Sequence, residues 1–210
     1  MQHRGTAGME LIELPPPVTD GPMSVERAIA NRESRRSFGG APIELSAISQ
    51  LLWAAQGITD PSRGFRTAPS AGATFPLEVY LAVGDGGQQE WVPPGLYRYV
   101  PGRHALELIR SGDIRRDFYR AALRQDAVRI APAVIILTGV TARTSDRYGA
   151  RAERYIAMEA GHVSQNIYLQ ATALGLGTVA IGAFQDAAVA RILDLPSGEN
   201  PLYLMPLGRR

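Results

Sequence analysis

The run Leu174-Gly175-Leu176-Gly177-Thr178-Val179-Ala180-Ile181-Gly182-Ala183-Phe184 decides the fold class, because its glycines invite two opposite readings. A dinucleotide-binding fingerprint has glycines at this density, but it follows a strand and opens a helix. Here the order is reversed. Upstream, from about Arg154 to Leu174, the residues Ile156, Ala160, Val163, Ile167, Ala171 and Leu174 recur at offsets of three and four, an amphipathic helix stripe. The glycines therefore close a helix and open a strand at Thr178 to Ile181. The second glycine cluster, Gly84 to Gly87, is followed by Pro93-Pro94 and by no helix. No Rossmann domain is expected.

Working outward, Ala157, Gly161, Ser164 and Tyr168 lie beside the stripe, so the helix is expected to be buried on more than one side, as at a core or a dimer seam. Toward the N-terminus, residues 1–23 with Pro15-Pro16-Pro17 read as an extended arm. Residues 24–210 then read as one domain. Ser24 is placed to cap a short helix reaching about Arg32, and a second helix runs from near Ser46 to Gly57. Thr59 to Thr67 reads as loop. Leu77 to Val83, Leu96 to Tyr99, Ala105 to Ile109 and Ala133 to Thr138 have strand composition, with a helix over Ile114 to Leu123. A helix near Ala187 to Leu193 and a strand from Leu202 to Leu207 close the chain. Irregular interleaving of this kind favours α+β.

Two absences narrow the chemistry. The chain has no cysteine, which excludes disulfides, thiolate nucleophiles and zinc–thiolate sites. It has no lysine either, all 22 basic residues being arginine, which excludes Schiff-base chemistry and the P-loop lysine. His3, His104 and His162 are too scattered for a multi-histidine metal site, so none is expected. A net charge of +2 gives no reason to expect nucleic acid. Neither a membrane-length apolar run nor a signal-peptide pattern is visible, so the expected setting is cytoplasmic.

Three segments can carry chemistry. In Arg32-Glu33-Ser34-Arg35-Arg36 an extended backbone would bring Arg32, Ser34 and Arg36 to one face, with Glu33 and Arg35 turned away. Two guanidinium forks and a hydroxyl suit a phosphate dianion. Taken alone, the segment reads more readily as a solvated basic face. Ala68 to Pro76 offers small residues that admit a flat ligand, and Ser70 as a donor; taken alone it is a turn. The glycine-rich run at 175–182 is the third. Beside these, Glu159, His162 and Asn166 form a polar stripe on the long helix, expected to hydrogen-bond between helices. Trp53 is expected in the core and Trp91 against a loop.

Taken together, Arg-Xaa-Ser-Xaa-Arg, Pro69-Ser70-Ala71-Gly72 and a long helix ending Ala-Leu-Gly-Leu-Gly-Thr resemble the nitroreductase family. The resemblance runs from about Ser24 to Arg210 and is nearest to the SagB-type and thiazole/oxazole-forming dehydrogenases. It implies an α+β nitroreductase-like fold whose central, mostly antiparallel sheet is flanked by helices, the long helix lying at a homodimer interface that holds FMN. Carried over, Arg32, Ser34, Arg36 and Arg209 hold the phosphate. Pro69, Ser70, Ala71 and Gly72 line the isoalloxazine from the partner subunit. Ala180, Ile181 and Gly182 set backbone groups at its reactive edge, and Gln125 approaches the flavin.

Two departures stand out. Ala73-Thr74-Phe75-Pro76 replaces the asparagine and Gln-Pro-Trp-like run of the usual nitroreductases. The Lys-Tyr pair of azoline dehydrogenases corresponds to Arg147-Tyr148, and arginine stays protonated. Arg147 and Tyr148 are thus the candidate catalytic pair. The implied activity is hydride transfer through flavin N5, as NAD(P)H-dependent reduction of small nitroaromatic or quinone-like substrates. The alternatives are azoline dehydrogenation with a partner protein, and a flavin-binding protein without turnover.

Overall fold

The structure, a computed structural model, describes residues 11–39, 41–85 and 92–210. Among these residues nine strands and seven α-helices follow in the order β1 (Leu11–Glu13), α1 (Val25–Asn31), α2 (Leu45–Gln56), β2 (Ile58–Asp60), β3 (Phe65–Arg66), β4 (Leu77–Val83), β5 (Gly95–Val100), β6 (Ala105–Ser111), α3 (Arg115–Ala121), α4 (Asp126–Ile130), β7 (Ala133–Val140), α5 (Thr141–Tyr148), α6 (Ala152–Ala173), β8 (Leu176–Thr178), α7 (Asp186–Leu193) and β9 (Glu199–Arg209).

Seven strands make one sheet in the order β1-β6-β5-β4-β7-β9-β8, and every neighbouring pair in it is antiparallel. Alternation along β4 shows why helices cover both faces. Val79, Leu81 and Val83 point to the layer of α2 and α6, where Leu51, Leu52, Val163 and Ile167 are buried. Tyr80 and Ala82 point to the opposite layer, packed with Phe118, Val128, Val189 and Leu193 from α3, α4 and α7. Strands buried on two faces read as continuous apolar runs, as β4 and β7 do. The fold is α+β with an antiparallel sheet between helical layers.

Several expectations need adjusting. The N-terminal arm is not free of the fold, because Leu11–Glu13 pair with β6 as an edge strand. Beyond β1 the arm is pinned by buried polar side chains. Ser49 Oγ donates to the Pro15 carbonyl at 2.6 Å, and His104 Nε2 lies 3.0 Å from it. The Gln50 amide accepts from Val18 N–H at 2.8 Å and donates to Val18 O at 2.9 Å. The loop at 59–67 contains the β2–β3 hairpin, turned by Asp60 Oδ1 accepting from the N–H groups of Ser62 and Arg63. The helix expected to reach Leu123 stops at Ala121, since Leu123 and Arg124 adopt left-handed φ of 56° and 61° before α4 begins. The strand expected at Thr178 to Ile181 is instead β8, two residues earlier, and Ile181 joins only through a bridge to Leu204.

On α6, Ile156, Ala160, Val163, Ile167 and Ala171 are buried as the stripe requires. Ala157, Met158, His162 and Gln165 are exposed, so His162 does not belong to the buried polar stripe. Glu159 and Asn166 do lie inward, and Asn166 Nδ2 donates to Ala54 O and Thr67 O at 3.2 Å each, joining α6 to α2. Trp53 is half-buried; Trp91, His3, Gly86 and Gly87 lie outside the described residues. No helix among the described residues is long and apolar enough to cross a membrane.

Candidate functional site

The chain leaves α1 in extended form at Arg32, with φ −66° and ψ 126°. It then runs along the free side of β8. Ser34 bridges Thr178 in parallel, Arg35 N–H donates to Thr178 O at 2.8 Å, and Gly39 N–H donates to Arg209 O at 3.0 Å. Extension puts alternate side chains on opposite faces. Arg32 lies over the ring of Tyr168, its guanidinium carbon 5.2 Å from the centroid, and Ser34 Oγ is 2.8 Å from the Tyr168 hydroxyl. Arg35 goes the other way, its stem against the bare Cα of Gly177 and its guanidinium paired with Glu33.

Arg32 and Arg36 have no carboxylate partner among the described residues, and Arg36 is exposed. Two guanidinium groups without a carboxylate partner, on either side of a hydroxyl in sequence, have the composition that suits an anion. Arg209 reaches the segment through its backbone, but its side chain is paired with Glu44 at 3.0 Å. That pair sits at a cavity of about 540 Å³ between the arm, α2 and the end of α6.

The Ala180–Gly182 turn is held on three sides. Ala180 N–H donates to the Tyr168 hydroxyl at 2.8 Å, and Ile181 exchanges both backbone bonds with Leu204 at 2.9 Å. Gln125 Nε2 donates to Ala183 O at 2.8 Å and to Ala122 O at 3.1 Å, tethering the turn to the end of α3. Gly182 is exposed, and its N–H has no partner among the described residues. Of the three backbone donors expected here, Gly182 alone is therefore free to meet a ligand. Sequence reasoning missed Tyr168, reading it only as a neighbour of the apolar stripe. The clue was its phenol, which requires a hydrogen-bond partner when buried.

The second group gathers on the turn after Pro69. Ser70 Oγ accepts from Phe75 N–H at 2.9 Å across a short 3₁₀ turn, Ala71–Ala73. Gly72 has φ +60°, which suits glycine, and a Cβ there would lie 2.6 Å from the Tyr148 hydroxyl, so a larger residue would push the ends of the Tyr148 and Arg147 side chains off the turn. Ala73 and Phe75 are also left-handed, at φ 54° and 43°, strain of order 1–3 kcal/mol each that the surrounding contacts must hold. Arg147 donates to Gly72 O at 3.2 Å. The structure thus brings Arg147 and Tyr148 onto the turn Pro69 to Gly72.

Beneath that turn lies Glu159, 2% exposed. Burial raises its pKa above the usual carboxylate value, against the opposing pull of Ser70, Arg66 and Gln56. Arg66 donates to Gln56 Oε1 at 2.7 Å and stacks 4.7 Å over Phe75, lining a cavity of about 290 Å³ with Tyr99 and Arg143. Glu159 and Tyr168 are nine residues apart on α6, about 13 Å along its axis at ~1.5 Å per residue. Within one chain, then, the Arg32–Ser34–Gly182 group and the Ser70–Gly72 group are separate walls. No cluster of histidine and acidic residues fit to hold a metal occurs among the described residues.

The sequence model of the nitroreductase family matches residues 29–209, which hold nearly all of both groups. The chain belongs to the nitroreductase family. A nitroreductase-family protein of Methanocaldococcus jannaschii is 45% identical over 188 residues, 90% of this chain and 92% of that relative. The Escherichia coli microcin B17-processing protein is 27% identical over 156 residues, 73% of this chain but 57% of that longer relative. Among solved structures, a nitroreductase-family protein from Ralstonia eutropha superposes with a TM-score of 0.83 at 34% identity, covering 95% of this chain and 89% of its own. The nitroreductase fold is a flavoprotein-type oxidoreductase fold, and both resemblances drawn from the sequence, to the family and to its azole-forming branch, hold.

Proposed function

We propose that the protein is an FMN-dependent oxidoreductase that reduces small nitroaromatic or quinone-like substrates with NAD(P)H in the cytoplasm. One observation carries the reading. Arg32 and Ser34 converge on Tyr168, whose hydroxyl also receives Ala180 N–H, so a phosphate-type anion site and a turn with the free Gly182 donor share one anchor. The residues fit the cofactor at both ends. Arg32, Ser34 and Arg36 would hold the phosphate, and Gly182 N–H would face the ring edge. Bound FMN would supply the hydride chemistry at its N5. The chain's own part is to orient the ring and to place a fixed donor where negative charge develops.

A homodimer completes this account. Glu159, beneath the turn Pro69 to Gly72, stands about 13 Å along α6 from Tyr168 at ~1.5 Å per residue, so a partner copy's turn would form the second wall. Val25 and Ile29 on α1 and Met158 on α6 are 64%, 56% and 54% exposed, large apolar side chains that a second copy would cover.

Azoline dehydrogenation is the second reading. The likeness to the microcin B17-processing protein and the Tyr148 hydroxyl on the turn favour it. Against it, an arginine stands where the azoline dehydrogenases carry lysine, and its guanidinium is committed to Gly72 O. Flavin bleaching by NAD(P)H, with reoxidation by a nitro compound or quinone, is expected of the first reading only. For the phosphate site, Arg32→Ala and Arg36→Ala should each weaken FMN binding at least tenfold, one charge-assisted bond of roughly 1.5–3 kcal/mol being lost. Unchanged affinity in both would refute it.

A further inference from the structure

Tyr168 is 9% exposed and belongs to neither segment that would contact the flavin, yet its hydroxyl touches both. A phenol has one proton and can accept through its oxygen. Ala180 N–H, a backbone donor, must be donating at 2.8 Å, which makes the phenol oxygen the acceptor there. Among the described residues the phenol proton then has one acceptor within reach, Ser34 Oγ at 2.8 Å. With its oxygen receiving that proton, the exposed Ser34 hydroxyl is free to turn its own proton outward between Arg32 and Arg36.

We propose that Tyr168 is the positioning residue of the cofactor site, its hydroxyl accepting from Ala180 N–H and donating to Ser34 Oγ so that Ser34 presents a proton to the phosphate. This rests on the phosphate reading above. The bond to Ser34 acts on the phosphoryl group alone, whereas the bond from Ala180 holds the turn that would face the ring and so weighs on both flavins alike; the relay therefore predicts a change in the ratio of FMN to riboflavin affinity.

The experiment measures both flavins against flavin-stripped protein. In Tyr168→Phe, the ratio of FMN to riboflavin affinity should fall about tenfold, the loss of one net hydrogen bond serving a charged group, on top of any loss common to both flavins from freeing Ala180 N–H. In a Ser34→Ala background the same substitution should leave the FMN-to-riboflavin ratio unmoved. An unchanged ratio in Tyr168→Phe, or an equal loss for both flavins, overturns the proposal. Should Tyr168→Phe fail to fold, a fluorinated tyrosine at 168 keeps the shape and lowers the phenol pKa. The FMN preference should then decline as pH rises through that pKa, and a flat ratio overturns the proposal. A wild-type protein that binds riboflavin as tightly as FMN is a different result: it removes the phosphate site itself.

Discussion

Replacing Gly208 by alanine tests how closely the 34–39 segment is laid against β9. The new Cβ would lie 2.4 Å from Phe38 Cβ and 2.7 Å from Phe38 Cγ. Carbon contacts settle at about 3.5–4.0 Å, so relief needs a movement of about 1 Å. Rotating the Phe38 ring cannot supply it, because the nearest atom is Cβ, fixed to the backbone. The 34–39 segment itself must lift off, and with it Ser34 and Arg36. Overpacking of this kind costs roughly 1–3 kcal/mol. At about 2–4 °C per kcal/mol for a protein of this length, the melting temperature should fall by roughly 2–12 °C. FMN should also rescue the variant less, each tenfold loss of affinity removing about 1.4 kcal/mol of ligand-induced stabilisation. Gly102→Ala, far from the segment, is the control, since nothing lies within 4 Å of the Cβ it would add. Melting curves of both variants with and without FMN decide the matter. A Gly208→Ala protein that melts with wild type and keeps the full FMN-induced shift would refute the reasoning.

Two further outcomes are expected. Burial opposes ionisation of Asp113, but the Arg115 fork and the N–H groups of Asp85 and Arg115 hold its pKa down to about 2, against an ordinary 3.8. A depressed carboxyl pKa stabilises the fold above the unfolded value, and that stability is lost as pH falls through the folded one. The urea-stability gap between wild type and Asp113→Asn should therefore be about 1–2 kcal/mol near neutrality, after discounting for partial exposure, and should close between pH 4 and about 2. Gln50→Leu removes both bonds to the Val18 backbone. It should raise the rate of non-specific proteolysis at 16–23 several-fold while costing only about 1 kcal/mol of global stability, read by mass spectrometry of the clipped chain and by melting.

Elements with a strong pattern were legible in the sequence. Leu77 to Val83 is apolar but for Glu78 and emerges with those bounds, and the α6 stripe survives from Ile156 to Ala171. Helix α5 was missed because Thr-Ala-Arg-Thr-Ser-Asp-Arg-Tyr carries no apolar stripe and buries only Thr144. Edge strand β1 is three residues against a triple proline, too short for alternation to register. At the site, alternation along Arg32 to Arg36 correctly separated Arg32 and Ser34 from Arg35, because an extended backbone leaves no other arrangement. The Tyr168 link was invisible for the opposite reason. It joins positions 134 and 12 residues apart, and no local period encodes a contact between a helix, a strand and a turn. The bonding of Ala180 and Ile181, which leaves only the Gly182 N–H free, likewise depends on where β9 and α6 lie.

The strand-like segment beside β8 has a consequence for the protein in concentrated solution. A sheet edge with unpaired N–H and C=O groups is a template for other chains. Here one edge ends in β1, three residues long and followed closely by three prolines that donate nothing, and the other ends in β8, also three residues long and overlaid from Ser34 to Gly39. The segment proposed to hold the phosphate is therefore also a charged guard rail, its arginines discouraging edge-to-edge growth. A substitution that peels it away would uncover β8, and the damaged protein would leave solution by aggregating before its core had come apart.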